Sequence, residues 1–308
     1  MREPVAYIER TRDWYSALGY DTPYVWADNR AEEIPFAPLA KPLSAAHVSI
    51  ITTAALYDPA KGDQGPGAAY NGAAKFFAPY RHPISVSVET RISHIAYDRQ
   101  HTSAQDQRTW FPLEALLAAQ HAGRIQSTGD YFYGAPTNRS QRVTREVDAP
   151  ALLSMLADDA VDAAVLIPNC PVCHQTVTLI ARHLERNGIA TVILGCAKDI
   201  VETAGAPRFV FSDFPLGNGA GKPGDPASQA ETLALGLCLL ETATAPVTVE
   251  NPQIWSESSA WKEDYSNPAK LTPDELSARR KAFDAQKDAA KNERSASHNF
   301  PSASATRI

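Results

Sequence analysis

Between about Pro150 and Gly195 the sequence carries two short, wholly apolar runs joined by an amphipathic helix, and this stretch leaves few folds open. VDAAVLIP (161–168) and IATVILG (189–195) have the length of strands. HQTVTLIARHLERNG (174–188) places Val177, Ile180, Ala181 and Leu184 on one helical face and stops at Asn187-Gly188. Strands that are apolar on both faces need cover on both, and a strand–helix–strand connection within one sheet is parallel and right-handed. ALLSMLADDA (151–160) reads as a helix ahead of the unit, RFVF (208–211) as a further strand and SQAETLALGLCLLETA (228–243) as a further helix. The fold class is therefore α/β: an open, mostly parallel, doubly wound sheet with helices on both faces.

The rest of the chain fits around that unit. Residues 1–45 read as an N-terminal arm, aromatic at Tyr7, Trp14, Tyr15, Tyr24, Trp26 and Phe36: a short helix, Val5 to Leu18, then a Pro-containing extended segment. Residues 46–148 form a first α/β lobe, with a buried strand in HVSIITTAAL (47–56), an alternating strand in PISVSVETRI (83–92) and a helix in PLEALLAAQHAG (112–123). Residues 149–250 form the second α/β lobe. Residues 251–308 hold a polar surface helix (273–293) and a flexible tail with the composition of SASHNFPSASATRI.

With 44% hydrophobic and 21% charged residues, the 308-residue chain can bury a core. Its 29 basic against 35 acidic residues give a net charge of −6 and no basic patch, so nucleic acid is not expected as a partner. No apolar run reaches membrane-spanning length and the start, MREPVAYIERTRDWY, lacks a signal-peptide core, so the expected location is the cytoplasm, away from any membrane. Four cysteines are too few for a disulfide scaffold. In a reducing compartment a close pair points to redox, catalytic or metal chemistry.

That pair is Cys170 and Cys173 in PNCPVCHQT, where the first apolar strand ends and the next helix begins. Open α/β sheets bind ligands at the carboxyl ends of their strands, and a helix N-terminus favours a thiolate through unpaired N–H groups and its dipole. Cys170 is the expected exposed, attacking thiol. Cys173, one turn on, is placed to resolve a mixed disulfide or sulfenate, and His174 to move a proton. A structural zinc site needs more ligands than this spacing supplies, so no metal is expected. Cys196 ends the neighbouring strand and opens toward the same crevice, while Cys238 reads as core. Thr53, His94, Asp106, Asp213 and Asn218 lie in loops positioned to shape and polarise a pocket. The glycines of FSDFPLGNGAGKPGD lack Walker spacing but leave room for a small anion.

The ordered series YIERTRDWYSALGY, VSIITTAAL, SHIAYDRQ with a later WFPLEAL, VDAAVLIPNCPVCHQTV, RHLERNGIATVILG and FSDFPLGN resembles the selenoprotein B family of glycine, sarcosine and betaine reductases and their D-proline reductase relatives, over roughly residues 5 to 245. In that family a selenocysteine opens a U-x-x-C motif. The resemblance places it at Cys170, with the second thiol at Cys173, and implies reductive cleavage of a carbon–nitrogen bond with electrons from thioredoxin-like donors. Cysteine is a less acidic and less reducing nucleophile than selenocysteine, so what carries over is a thiol-dependent reductive mechanism and not a substrate.

The expected function is thus a thiol-dependent oxidoreductase cleaving a C–N or C–heteroatom bond of a small substrate through a Cys170/Cys173 redox pair. It needs no bound cofactor, only an external dithiol or thioredoxin-like reductant. Two alternatives stay open: a racemase or isomerase using Cys170 and Cys196 as opposed acid and base, and a non-catalytic redox or partner subunit of a reductase complex. Whether the chain works with a partner subunit or as a homo-oligomer is left open as well.

Overall fold

The computed structural model describes residues 3–63, 71–94 and 96–299. Nine strands are present among them: β1 (Val48–Thr52), β2 (Ala55–Leu56), β3 (Tyr80–Pro83), β4 (Thr90–Arg91), β5 (Tyr131–Gly134), β6 (Ala163–Ile167), β7 (Ala190–Gly195), β8 (Arg208–Phe211) and β9 (Val247–Glu250). Seven of them make one sheet in the order β3-β5-β1-β6-β7-β8-β9, parallel throughout except for antiparallel β3 at one edge. The α/β doubly wound class read from the sequence is the observed one. Strands from residues 46–148 and from 149–250 share this sheet, with Ile50 opposite Val165 where β1 meets β6.

Alternation along the strands decides which side chain meets which layer. On one face Ile50, Val165, Val192 and Leu194 pack with Leu116, Leu233 and Leu237; on the other Ile51, Leu166, Ile193 and Phe209 pack with Leu152, Val177, Ile180 and Leu184. Each such side chain contributes about 1.5–3 kcal/mol by leaving water, so the sheet is held from both sides by the helices the periodicity indicates.

Two expectations need correction. PISVSVETRI is not one strand: β3 ends at Pro83, Thr90–Arg91 pairs with β2, and the chain turns between them. Ile84 and Val88 pack against the core while Val86 is exposed, so the alternation reflects a loop pinned at two points. Cys238 is exposed, because the helix Pro226–Thr242 buries Leu233, Leu237 and Leu240 and turns Cys238 outward. The polar C-terminal helix runs Pro273–Asn299; the rest of the expected tail, 300–308, lies outside the described residues.

The arm lies against the second half of the sheet. Its helix Tyr7–Ala17 is fixed by the Ile8 N–H donating to Asp199 Oδ2 at 2.8 Å. The extended segment after it crosses the helix Pro171–Arg186: Gln175 accepts from the Ala27 N–H at 2.6 Å and donates to the Tyr24 hydroxyl at 2.8 Å. Further along, Glu185 pairs with Arg208 at 2.7 Å, both side chains fully buried. The same carboxylate accepts from the backbone of Thr191 and Ala37, and Arg208 donates to the Ala37 carbonyl at 2.8 Å.

Candidate functional site

Chain order and strand order part company at β1. From β1 the chain reaches β5 on one side, and from β5 it crosses to β6 on the other, so the carboxyl ends of β1 and β6 form the switch point at which sheets of this kind bind ligands. Thr53 follows β1 there, and Pro168-Asn169-Cys170 follows β6. The two loops are tied by the Asn169 N–H donating to Thr53 Oγ1 at 3.1 Å. Thr53 is fully buried and acts as a brace between the loops.

Cys170 is the N-cap of the helix Pro171–Arg186, with extended backbone and Pro171 in the first turn. Its sulfur accepts the Cys173 N–H at 3.2 Å, and the two cysteines are joined as a disulfide with Cα atoms 4.9 Å apart. On reduction the same N–H and the helix dipole remain to stabilise a thiolate on Cys170. The expectation of an exposed Cys170 needs correction: it is 4% exposed and Cys173 is fully buried. Tyr24 and Trp26 of the arm pack on Cys170, Val172 and Cys173, so the sulfurs sit beneath an aromatic cover hydrogen-bonded to Gln175.

Beneath that cover the environment is polar. A ring nitrogen of His94 and the two sulfurs lie within 4.8 Å of one another, and the Thr137 hydroxyl donates to the Cys173 sulfur at 3.4 Å. Several buried polar atoms have no hydrogen-bond partner among the described residues: His94 Nδ1, Ser93 Oγ, and both the oxygen and the nitrogen of the Asn169 amide. Polar atoms left this way in a buried site mark where a ligand or water belongs. Burial, with Lys75 and Arg99 nearby, holds His94 down to about 3, so its ring is neutral. Of the pocket residues expected from sequence, Thr53 and His94 are brought to the cysteine pair.

The others are not. His174 Nδ1 donates to the Cys170 carbonyl at 2.7 Å, which leaves Nε2 to accept from the Cys196 N–H at 2.9 Å. Both ring nitrogens are occupied by backbone, and burial lowers the ring to about 4, so the expected proton carrier is instead a latch between the end of β7 and the first turn of the helix. Gly195 makes the latch fit, since a Cβ there would meet His174 Nε2 at 2.8 Å. Cys196 packs with Tyr7, Tyr97 and Phe214, apart from the Cys170 cluster. Burial pushes its thiol well up despite N–H groups from Asn218 and Phe214.

Asp106, Asp213 and Asn218 hold turns. Burial raises the Asp106 carboxyl, but hydrogen bonds from Arg108, Gly224 and Gln229 outweigh it and hold it at about 2. Asp213 pairs with Lys262, and Asn218 Nδ2 donates to the Pro215 carbonyl at 2.9 Å. The glycine loop does not offer an anion cradle. A Cβ on Gly219 would meet the Leu194 carbonyl at 2.6 Å and one on Gly221 would meet Gln229 Cα at 2.7 Å, so the glycines serve close packing on β7 and the following helix.

Nothing in the sequence marks Thr137 or Ser93 as neighbours of the cysteines, and Tyr24 and Trp26 stand there only as two of the arm's aromatic residues. Asn169, also absent from the expected site residues, alone has a local signal, its place inside PNCPVC. Beside this cluster Asn138 donates to Asp148 at 3.0 Å, at the end of a π-turn over Thr144–Asp148. Asp148 is 1% exposed, and burial pushes its carboxyl up to about 6 against the Asn138 hydrogen bond. A folded-state value above that of the unfolded chain means that the folded state holds more protons between about pH 4 and 6, so stability falls as pH rises through that window. Asp148→Asn is therefore expected to stabilise the protein by ~2–3 kcal/mol above pH 7 and by little below pH 4. Urea unfolding at both pH values checks this; an equal shift at both would refute it.

These features define a thiol–disulfide centre at the switch point of a doubly wound α/β fold. The chain is 27% identical over 194 residues to the D-proline reductase subunit gamma of Acetoanaerobium sticklandii, covering 62% of this chain and 77% of that protein. It is 26% identical over 223 residues to the glycine reductase complex component B subunit gamma of Carboxydothermus hydrogenoformans, covering 71% of this chain and 49% of that one. With the sarcosine reductase complex component B subunit beta of Peptoclostridium acidaminophilum the identity is 24% over 222 residues, 71% of this chain and 50% of the other. The chain thus spans about half the length of the last two relatives. No protein-family model and no solved structure matches it. The resemblance read from the ordered motifs is therefore borne out: homologues of this chain are subunits of D-proline, glycine and sarcosine reductases. Among the described residues no helix is long and apolar enough to cross a membrane.

Proposed function

We propose that this chain is a thiol-dependent subunit of a reductase of the glycine/D-proline type, cleaving a C–N or C–heteroatom bond of a small substrate. The observation that carries this reading is the Cys170–Cys173 disulfide at a helix N-terminus at the switch point of the sheet, with His94 beside both sulfurs. In the reduced protein the Cys170 thiolate attacks the substrate carbon; a carbon–sulfur bond forms, and the amine or other heteroatom leaves with the bond pair and takes a proton. The Cys173 thiolate then attacks the Cys170 sulfur. The sulfur–sulfur bond forms, the carbon–sulfur bond breaks, and the carbon takes that electron pair and a proton. Substrate has gained two electrons, and the disulfide is returned to two thiols by an external dithiol or thioredoxin-like donor. In this reading neutral His94, beside both sulfurs, passes the protons, and the Asn169 amide, unpartnered at both ends, holds substrate by hydrogen bonds.

Cys173→Ser tests the sequence of events. With the attacking sulfur kept and the resolving one removed, the reduced variant offered glycine, sarcosine or D-proline is expected to accumulate an adduct on the Cys170 peptide, read by mass spectrometry. Unimpaired turnover without adduct would remove the resolving role.

A partner-dependent form of the same reading draws support from two relatives that are named as components of reductase complexes. An isolated chain that is inert, and active once a co-purifying second chain or a second copy is restored, would favour it. A racemase reading finds no support in Cys196, whose sulfur is buried in a different cluster.

A further inference from the structure

We infer that the reduced protein binds a soft divalent cation, of which zinc is the common example, through Cys170, Cys173 and His94. The inference rests on the reading above, in that the disulfide must open. Reduction by a dithiol gives two thiols and the donor's disulfide; the cation then replaces two thiol protons, forming two metal–sulfur bonds and one metal–nitrogen bond.

The geometry favours this. The three ligand atoms, two from one helix start and one from a loop 76 residues earlier, already lie within 4.8 Å of one another, and all three residues are buried. Tetrahedral zinc with bonds of about 2.3 Å to sulfur and 2.0–2.1 Å to nitrogen spaces its ligands about 3.6–3.8 Å apart, so the sulfurs need only part to non-bonded contact and the imidazole move by about an ångström. His94 Nδ1 is buried without a partner among the described residues, and the adjoining Asn169 amide is unpartnered at both ends. The donor set is one nitrogen and two sulfurs with no carboxylate, which suits zinc and not magnesium or calcium. Two thiolates cancel the ion's charge, so burial costs little. Three protein ligands leave a fourth position to water or a substrate group. An ion held here occupies both the attacking and the resolving sulfur, so metal binding and turnover exclude each other, and oxidation to the disulfide expels the metal.

The test uses the full chain, reduced with a phosphine and freed of it, and titrated with Co2+ and with Zn2+ against a chromogenic chelator. The expected result is one equivalent per chain, with the thiolate-to-cobalt absorption of a tetrahedral site, protection of Cys170 and Cys173 from alkylation, and affinity at least about 10²-fold weaker in the oxidised protein. His94→Gln is expected to weaken binding at least about tenfold, while the comparison of oxidised with reduced wild type needs no variant. Binding that survives in the disulfide form, or no stoichiometric binding by the reduced protein, would overturn the site. Free-thiol counts in denaturant separate the two ideas: reduced protein with four thiols and no metal affinity fails the metal site alone, whereas a count that stays at two after reductant fails both.

Discussion

Replacing Cys170 with serine is expected to lower reductant-dependent turnover by at least about 10³-fold, the scale seen when an enzyme loses its nucleophile. The hydroxyl keeps the N-cap, since serine accepts the residue-173 N–H as well as sulfur does, so the fold should be unchanged. What is lost is the anion. A serine alkoxide is not populated at neutral pH, whereas a thiol at a helix N-terminus beside a second cysteine is readily ionised. Dithiol consumption with glycine, sarcosine or D-proline, measured alongside urea unfolding, separates chemistry from stability. Turnover within tenfold of wild type at equal stability would mean that the reacting group lies elsewhere.

The second large effect concerns stability. Glu185→Ala is expected to cost about 3–5 kcal/mol, because it leaves the Arg208 guanidinium charged, buried and deprived of its partner. It also strips acceptors from the Thr191 and Ala37 N–H groups. The arm is anchored there, with Phe36 stacked on the Arg208 guanidinium at 3.8 Å and Ala37 bonded to both ions. Limited proteolysis within residues 20–40 should therefore rise together with the loss in urea midpoint. Replacing both ions by apolar residues, Glu185→Leu with Arg208→Met, should recover the part of the loss due to the unpaired charge, but not the part due to the unpaired backbone groups of Ala37 and Thr191. A single-variant cost below about 1 kcal/mol would show that the pair is not sustaining the arm.

The β-α-β unit was legible because its signals are local. Apolar runs of strand length and a helical face at Val177, Ile180, Ala181 and Leu184 leave one arrangement that buries both strand faces. The same locality explains why Cys170 and Cys173 were found: a helix start after a buried strand is written in consecutive residues. Where the sequence misleads, the deciding partner is distant. PISVSVETRI alternates like a strand, yet only β5 and β2 decide that Pro83, Thr90 and Arg91 are the residues that pair. His174 adjoins Cys173 in sequence but faces the backbone of Cys196, twenty-two residues on, because Gly195 leaves space for its ring.

By itself, then, the sequence determined the class of sheet, the position of a close cysteine pair at the carboxyl end of a strand, and the kinship with reductase subunits. Only the tertiary structure decided what surrounds those sulfurs. His94 is brought in from one loop and Thr137 from another, while Tyr24 and Trp26 close over them from the arm. The physical reason is that hydrophobic periodicity reports how a segment meets its own layer. The meeting of loops from different strands depends on strand order and crossover, which no single segment encodes.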